Sequence, residues 1–183
     1  MAFNKTACAI GCAICWLIVV LIILLVSIGT VEPIQYGIVY NSITKKVDLE
    51  TIYPGGWYFI GPINSFITFP ATLVNLDFTE FEGALAKPLT VKDSDGQEIK
   101  LSLSIQYKLQ KEDVGKLYNE FQTGYEVTFV SYVDSVVRKI VGSFDSTAFW
   151  KQRKESGEKL RVAINEKLKE VYAECKNLQI INV

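Results

Sequence analysis

Histidine is absent from the 183 residues. Its absence removes the commonest general base and the commonest metal ligand, and with them the Ser-His and Cys-His nucleophile pairs. Cysteine is scarce and unevenly placed. Cys8, Cys12 and Cys15 crowd the N-terminus and Cys175 stands alone near the end. Nothing between Trp16 and Glu174 can form a disulfide, which excludes a disulfide-stapled secreted module. An excess of charge of either sign is also missing, with 19 basic against 20 acidic residues. Without a basic field there is no signal for nucleic acid as a partner. The Asn4-Lys5-Thr6 glycosylation acceptor is pressed against an apolar run, which leans against exposure of the body to a secretory lumen.

That apolar run is the first positive feature. Ala7 to Gly29, ACAIGCAICWLIVVLIILLVSIG, is 23 residues without a charge, long enough to cross a bilayer as a helix. A cleaved signal peptide would have a shorter apolar region and a small-residue cleavage site, and no such site follows Ile28. No proline interrupts the run, favouring a straight span over a re-entrant hairpin. Residues 1–30 are therefore expected to be a single-pass anchor. Cys8, Cys12 and Cys15 recur at helical spacing on one face of its first turns and are candidate S-acylation sites, with packing as small residues the alternative.

Beyond the anchor the sequence reads as one α+β domain over 31–183, β-rich over 31–110 and helical over 111–183. Ile34–Tyr40 is a candidate strand, followed by a polar connector, Asn41–Lys46. YPGGWYFIGP, Tyr53–Pro62, carries a short strand bracketed by breakers. Trp57 and Phe59 point to one face of it, Tyr58 and Ile60 to the other. Further strands are expected at Phe66–Phe69 and Leu73–Phe81. The strict alternation of Ile99, Leu101, Leu103, Ile105, Tyr107 and Leu109 with polar residues marks a long half-buried strand. It is expected to pair with Leu89–Lys92 across Asp93-Ser94-Asp95-Gly96, where Asp-Gly suits a tight hairpin.

Helical spacing takes over at Lys111. A short helix over Lys111–Phe121 is expected to end before Gly124. A second, Tyr125–Val141, carries a stripe of Val130, Val133, Val137, Ile140 and Val141 and is terminated by Gly142. A third, capped by Asp145 or Ser146, buries Leu160, Ile164, Leu168, Val171 and Tyr172 and presents charges on its other face. Leu178–Val183 reads as a closing strand.

Candidate chemistry is thin. Asp93, Asp95 and Glu98 around Gly96 are too few and too closely flanked by strands for a calcium loop, and read as a turn. Pro54-Gly55-Gly56 lacks the helix N-terminus and lysine of a phosphate loop. No nucleophile–base pair or metal cluster stands out, so no enzyme, cofactor or metal is expected. A membrane-tethered hydrolase is disfavoured by the missing histidine.

The order of several passages resembles a known family. VEPIQYGIVY just after an N-terminal anchor is followed by YPGGWYFIGP and by LTVKDSDGQEIKLSLSIQYKL. Then comes SYVDSVVRKIVGSF, with Arg138 where the family commonly has an arginine, and finally a charged helix and LQIINV. The set resembles the SPFH or band 7 group of stomatins, prohibitins, flotillins and bacterial relatives, over about Val31 to Val183. The resemblance implies a non-enzymatic scaffold whose copies assemble into rings or cages that enclose a membrane microdomain. The implied partners are membrane lipids, further copies or paralogues, and membrane proteases, channels or respiratory components. An accessory subunit used once in a larger membrane hetero-complex is the alternative. Members commonly continue into a long coiled coil, whereas this sequence stops at Val183, so a ring or a fragment is expected. The straight anchor is prohibitin-like rather than stomatin-like, suiting a mitochondrial inner membrane, while the cysteines suit a plasma membrane or endomembrane.

On this reading Trp57, Tyr58, Phe59 and Phe66 are the expected membrane contacts, because such rings suit the lipid headgroup region. Arg138, Arg153, Lys154, Glu158, Lys159, Glu166 and Lys167 are the expected oligomer interface.

Overall fold

The structure is a computed structural model. It describes the backbone of residues 5–92, 94–143 and 153–182, and the side chains of these except 5–11, 153 and 182. The chain divides into two compact units, one reaching Phe69 and the other starting at Pro70. Helix α1, Lys5–Val26, opens the first. The apolar run does not stay helical to Gly29. Ser27 turns the chain, and Ile28–Val31 forms strand β1, paired antiparallel with β4, Gly56–Phe59. Among the residues whose side chains are described, which on α1 begin at Cys12, no helix is long and apolar enough to cross a membrane.

A three-stranded sheet in the order β3-β2-β5 completes the unit, from β2 (Gln35–Asn41), β3 (Val47–Tyr53) and β5 (Asn64–Pro70). The expected polar connector is thus the turn of a β2–β3 hairpin. Strand β3, VDLETIY, escapes the sequence reading because two acids, poor strand formers, dilute its alternation. Val31, Ile38 and Phe69 are buried in this unit.

In the second unit β8, Glu98–Leu109, is the strand on which the others are built. It pairs antiparallel with β6 (Val74–Phe78), β7 (Leu89–Lys92) and β9 (Ala173–Asn182). Leu101, Leu103, Ile105 and Tyr107 are fully buried and alternate with exposed or half-buried neighbours, as the sequence pattern requires. The expected pairing of β7 with β8 forms, with Leu89 opposite Leu101 and Lys92 opposite Glu98. Of the Asp95-Gly96 pair, Gly96 takes the positive φ (80°) and Asp95 does not. Strand β9 is much longer than the expected Leu178–Val183, since the apolar positions Ala173 and Cys175 also face the core.

A single 3-10 turn, Lys111–Asp113, leads into α2 (Val114–Phe121), and Gln122, at φ 53°, ends it. Helix α3, Tyr125–Val141, has the expected bounds but a different buried stripe. Tyr125, Phe129, Val133, Val137 and Val141 are buried at a strict spacing of four, while Val130 and Ile140 are half-buried flanks. The reason is aromatic: Phe129 meets the Tyr107 ring edge-on at 5.2 Å and the Tyr125 ring at 5.4 Å. Helix α4, Arg153–Lys169, buries Leu160, Ile164 and Leu168. Val171 and Tyr172, expected on the same helix, follow its end, because Tyr172 takes a φ of 65°. The Asn165 side chain accepts the Cys175 amide at 3.0 Å and fastens α4 to β9. The proposed caps Asp145 and Ser146, and Asp93 of the turn, lie outside the described residues.

Burial pushes the Cys175 thiol up to about 11. Below its unfolded value near 9 the thiol is neutral in both states; between about 9 and 11 only the unfolded chain ionises. Stability should therefore fall as pH rises through that window. A Cys175→Ala variant should be less stable at neutral pH yet show a shallower decline from pH 9 to 11, read as urea midpoints across that range.

A candidate membrane-facing end of the first unit

The four expected membrane contacts do not share a face. Trp57 and Phe59 are 79% and 69% exposed. Across the β1–β4 ladder they sit opposite Thr30 and Ile28, which are also exposed. Tyr58 and Phe66 turn the other way and form an aromatic cluster with Tyr53, at centroid distances of 4.9, 5.4 and 5.9 Å. The Tyr58 hydroxyl donates to the Pro54 carbonyl at 2.9 Å. Glycine makes this packing possible. A Cβ on Gly29 would lie 2.8 Å from the Phe66 ring, and one on Gly37 would lie 2.9 Å from it. Tyr58 and Phe66 are therefore the support of the β1–β4 pair, and Trp57 and Phe59 its outer surface.

The outer surface is fixed to the end of α1. The Ser27 carbonyl accepts the amides of both Ile60 (3.0 Å) and Gly61 (3.2 Å). The buried Ser27 hydroxyl donates back to the Ile23 carbonyl at 2.6 Å. One residue thus joins the last helical turn to the β4–β5 turn, and the satisfied carbonyls need no water.

Asparagines extend the connection to a third turn. The Asn64 amide donates to the Ile60 carbonyl at 2.6 Å, and the Asn41 amide donates to the Asn64 side-chain oxygen at 2.9 Å. The Asn41 oxygen accepts the amides of Ile43 (3.0 Å) and Thr44 (2.8 Å), and the Ser42 amide donates to the Ile63 carbonyl at 3.0 Å. The foot of α1, the β4–β5 turn and the β2–β3 turn are therefore gathered at one end. Exposed apolar side chains from all three crowd there: Leu25, Val26, Ile28, Ile43, Phe59 and Ile63. Sequence reasoning missed Ile43 and Ile63. Each is a lone apolar residue in a polar turn, and only the asparagine bonds reveal that the two turns meet.

Cys12 and Cys15 are exposed on α1; the side chain of Cys8 lies outside the described residues. Cys12, Cys15 and the large apolar residues from Ile14 to Val26 are all solvent-facing, so α1 presents apolar surface on every side over this stretch.

The expected oligomer interface divides in a similar way. Arg138 is tied inside its own unit, with Nε 2.9 Å from the Asp134 carboxylate and Nη1 donating to the Thr90 carbonyl of β7 at 2.7 Å. It is a strut between α3 and β7, and Asp134 holds it firmly in the charged form. Lys154, Glu158, Lys159 and Glu166 are exposed along α4, with Lys167 half-buried; the side chain of Arg153 lies outside the described residues. Several of these charges pair along the helix itself: Lys159 with Glu155 at 3.0 Å, Glu158 with Arg161 at 2.5 Å, and Lys167 with Glu170. Such exposed pairs contribute little to stability, because solvent and salt screen them. Among them Val162 and Ala163 line a shallow apolar depression of about 330 Å³ with Glu155, Glu158, Lys159 and Glu166. No group of side chains able to hold a metal ion occurs among the described residues.

Residues 30–183 match the family model of the SPFH domain / Band 7 family. No curated protein matches the chain.

Removal of the Asn64 amide tests whether the three turns act as one. Asn64→Ala leaves the Ile60 carbonyl and the Asn41 amide without their partner, at a cost of about 1–3 kcal/mol. The amides of Ser42, Ile60 and Gly61 should exchange hydrogen faster while those of β8 are unchanged. Uniform acceleration would mean that the end is not a separate cooperative element.

Proposed function

The chain belongs to the SPFH domain / Band 7 family, a family of membrane-associated scaffold-type proteins, and on that premise we propose that it is a single-pass membrane scaffold working in multiple copies. The carrying observation is the apolar end of the first unit. Exposed Ile28, Phe59 and Trp57 continue directly from the foot of α1, with only Ser27 between helix and strand. Helix α1 has 22 residues, about 33 Å at 1.5 Å per residue, against a hydrocarbon core of about 30 Å. With an uncharged run from Ala7 to Gly29, it crosses the bilayer and sets the paired strands β1 and β4 in the headgroup region. There Trp57 and Phe59 lie in the interface.

Lateral assembly uses the exposed face of α4. Charges of both signs around the Val162–Ala163 depression suit contact between identical copies, which bring acid to base without net repulsion. The work of the protein is then to hold neighbours and lipids in place. No residue is given a chemical step.

Detergent-extracted full chain should yield symmetric particles of many copies by native mass measurement. A monomer, or one copy bound to unrelated subunits, favours the accessory-subunit alternative and overturns the scaffold. For the membrane face, a chain starting at Ser27, which keeps β1 paired with β4, should bind liposomes. Trp57→Ser with Phe59→Ser should weaken that binding by at least about tenfold, since each buried aromatic contributes about 1.5–3 kcal/mol. Equal binding before and after substitution would remove these rings from the contact.

A further inference from the structure

The β2–β3 turn carries two features that the contact through the β1–β4 pair does not use. Ile43 at its tip is 71% exposed, and the next but one and following residues are Lys45 and Lys46, both exposed. The turn is closed by the Asn41 amide donating to the Lys46 carbonyl and the Lys45 amide donating to the Asn41 carbonyl, each at 2.9 Å. Lys45 takes a φ of 56°, in the left-handed region, and its ammonium lies 5.8 Å from the centre of the Tyr40 ring. Neither lysine forms an ion pair among the described residues, whereas lysines 100, 116, 159, 167 and 176 do.

Charge at this end has one sign. The segments gathered there, 25–28, 41–46 and 59–64, contain two lysines and no acid. The nearest carboxylate along the chain, Asp48, lies outside these segments on β3 and accepts the amides of Glu50 (3.1 Å) and Thr51 (3.2 Å), which fix its direction while leaving it charged. Glu32 lies beyond Val31, at the opposite end of the β1–β4 ladder from Ile28 and Phe59, and accepts from Gln35 at 3.2 Å. A cationic pair beside an exposed apolar tip is complementary to one kind of surface, an apolar interior covered by negative charge.

We infer that the β2–β3 turn is a second membrane contact that reads anionic lipid. Ile43 enters the interface beside Ile63, and Lys45 and Lys46 hold negatively charged headgroups. This rests on the membrane-facing reading of the same end. It adds selectivity, because Ile28, Trp57 and Phe59 are uncharged and insert into zwitterionic and anionic bilayers alike. Lysines near a charged leaflet gain attraction that falls off within a Debye length, so the contact is sensitive to salt.

The test uses the full chain in nanodiscs of phosphatidylcholine alone and of phosphatidylcholine with phosphatidylserine, followed by hydrogen exchange. Amides over 42–47 should exchange up to about thirtyfold more slowly in the anionic discs, the scale set by two lysines at a charged leaflet. Lys45→Ala with Lys46→Ala, or raised salt, should erase the difference, while amides over 36–40 report that the hairpin is still folded. Equal exchange over 42–47 in both discs, with the segment over 57–59 protected in both, overturns the anionic contact and leaves the membrane-facing reading standing. Exposure of 57–59 in both discs overturns the two together.

Discussion

The pair of hydrogen bonds accepted by the Ser27 carbonyl, from the amides of Ile60 and Gly61, is the constraint on which the first unit depends. A helix end exposes carbonyls that need partners, and here two amides of the β4–β5 turn supply them. That turn starts immediately after Phe59, so accepting its amides brings β4 alongside β1 and sends Trp57 and Phe59 to the outside. The same bonds leave Tyr58 on the inside with Phe66, where Gly29 and Gly37 give the ring room. Asn64 and Asn41 then carry the connection to the β2–β3 turn. The two bonds to the main-chain carbonyl of residue 27 and the asparagine bonds together hold the apolar tips at one end.

The second unit rests on a different principle. Strand β8 is long enough to serve three partners along its length, and its alternation of apolar and polar residues commits one face to the helices. Tyr107 on β8 and Phe129 on α3 meet edge-on within this core. Arg138 bonds to Thr90 on β7 from outside it. An arginine on an exposed helix face is easily read as reaching for another chain. Its guanidinium satisfies a strand carbonyl and a neighbouring acid within its own unit, and the charges on α4 pair mainly with residues three or four positions away.

What could be read from the sequence follows from the range of the forces involved. The β7–β8 hairpin, the bounds of α3 and the two faces of β4 are local, and residue alternation or spacing reveals them. The true stripe of α3 is less visible, since Val130 and Phe129 are both apolar and only the partner ring of Tyr107 decides between them. Strand β3 is hidden by Asp48 and Glu50, whose place on an exposed face is consistent with the fold but weakens the local signal. The separation of Trp57 and Phe59 from Tyr58 and Phe66 is legible from strand geometry as soon as the pairing of β1 with β4 is known. The meeting of Ile43 with Ile63 is not legible at all. It depends on amides 23 positions apart in the chain, Asn41 and Asn64, and asparagines in turns have many other uses.

A single residue separates the last turn of α1 from the first residue of β1, and that residue is hydrogen-bonded on both sides. There is no slack for a swivel. A flexible linker would let the helix reorient without consequence for the strands that follow. Here the foot of α1 is tied by hydrogen bonds to the β4–β5 turn and, through Asn64 and Asn41, to the β2–β3 turn, so a reorientation of the helix is resisted by both turns at once.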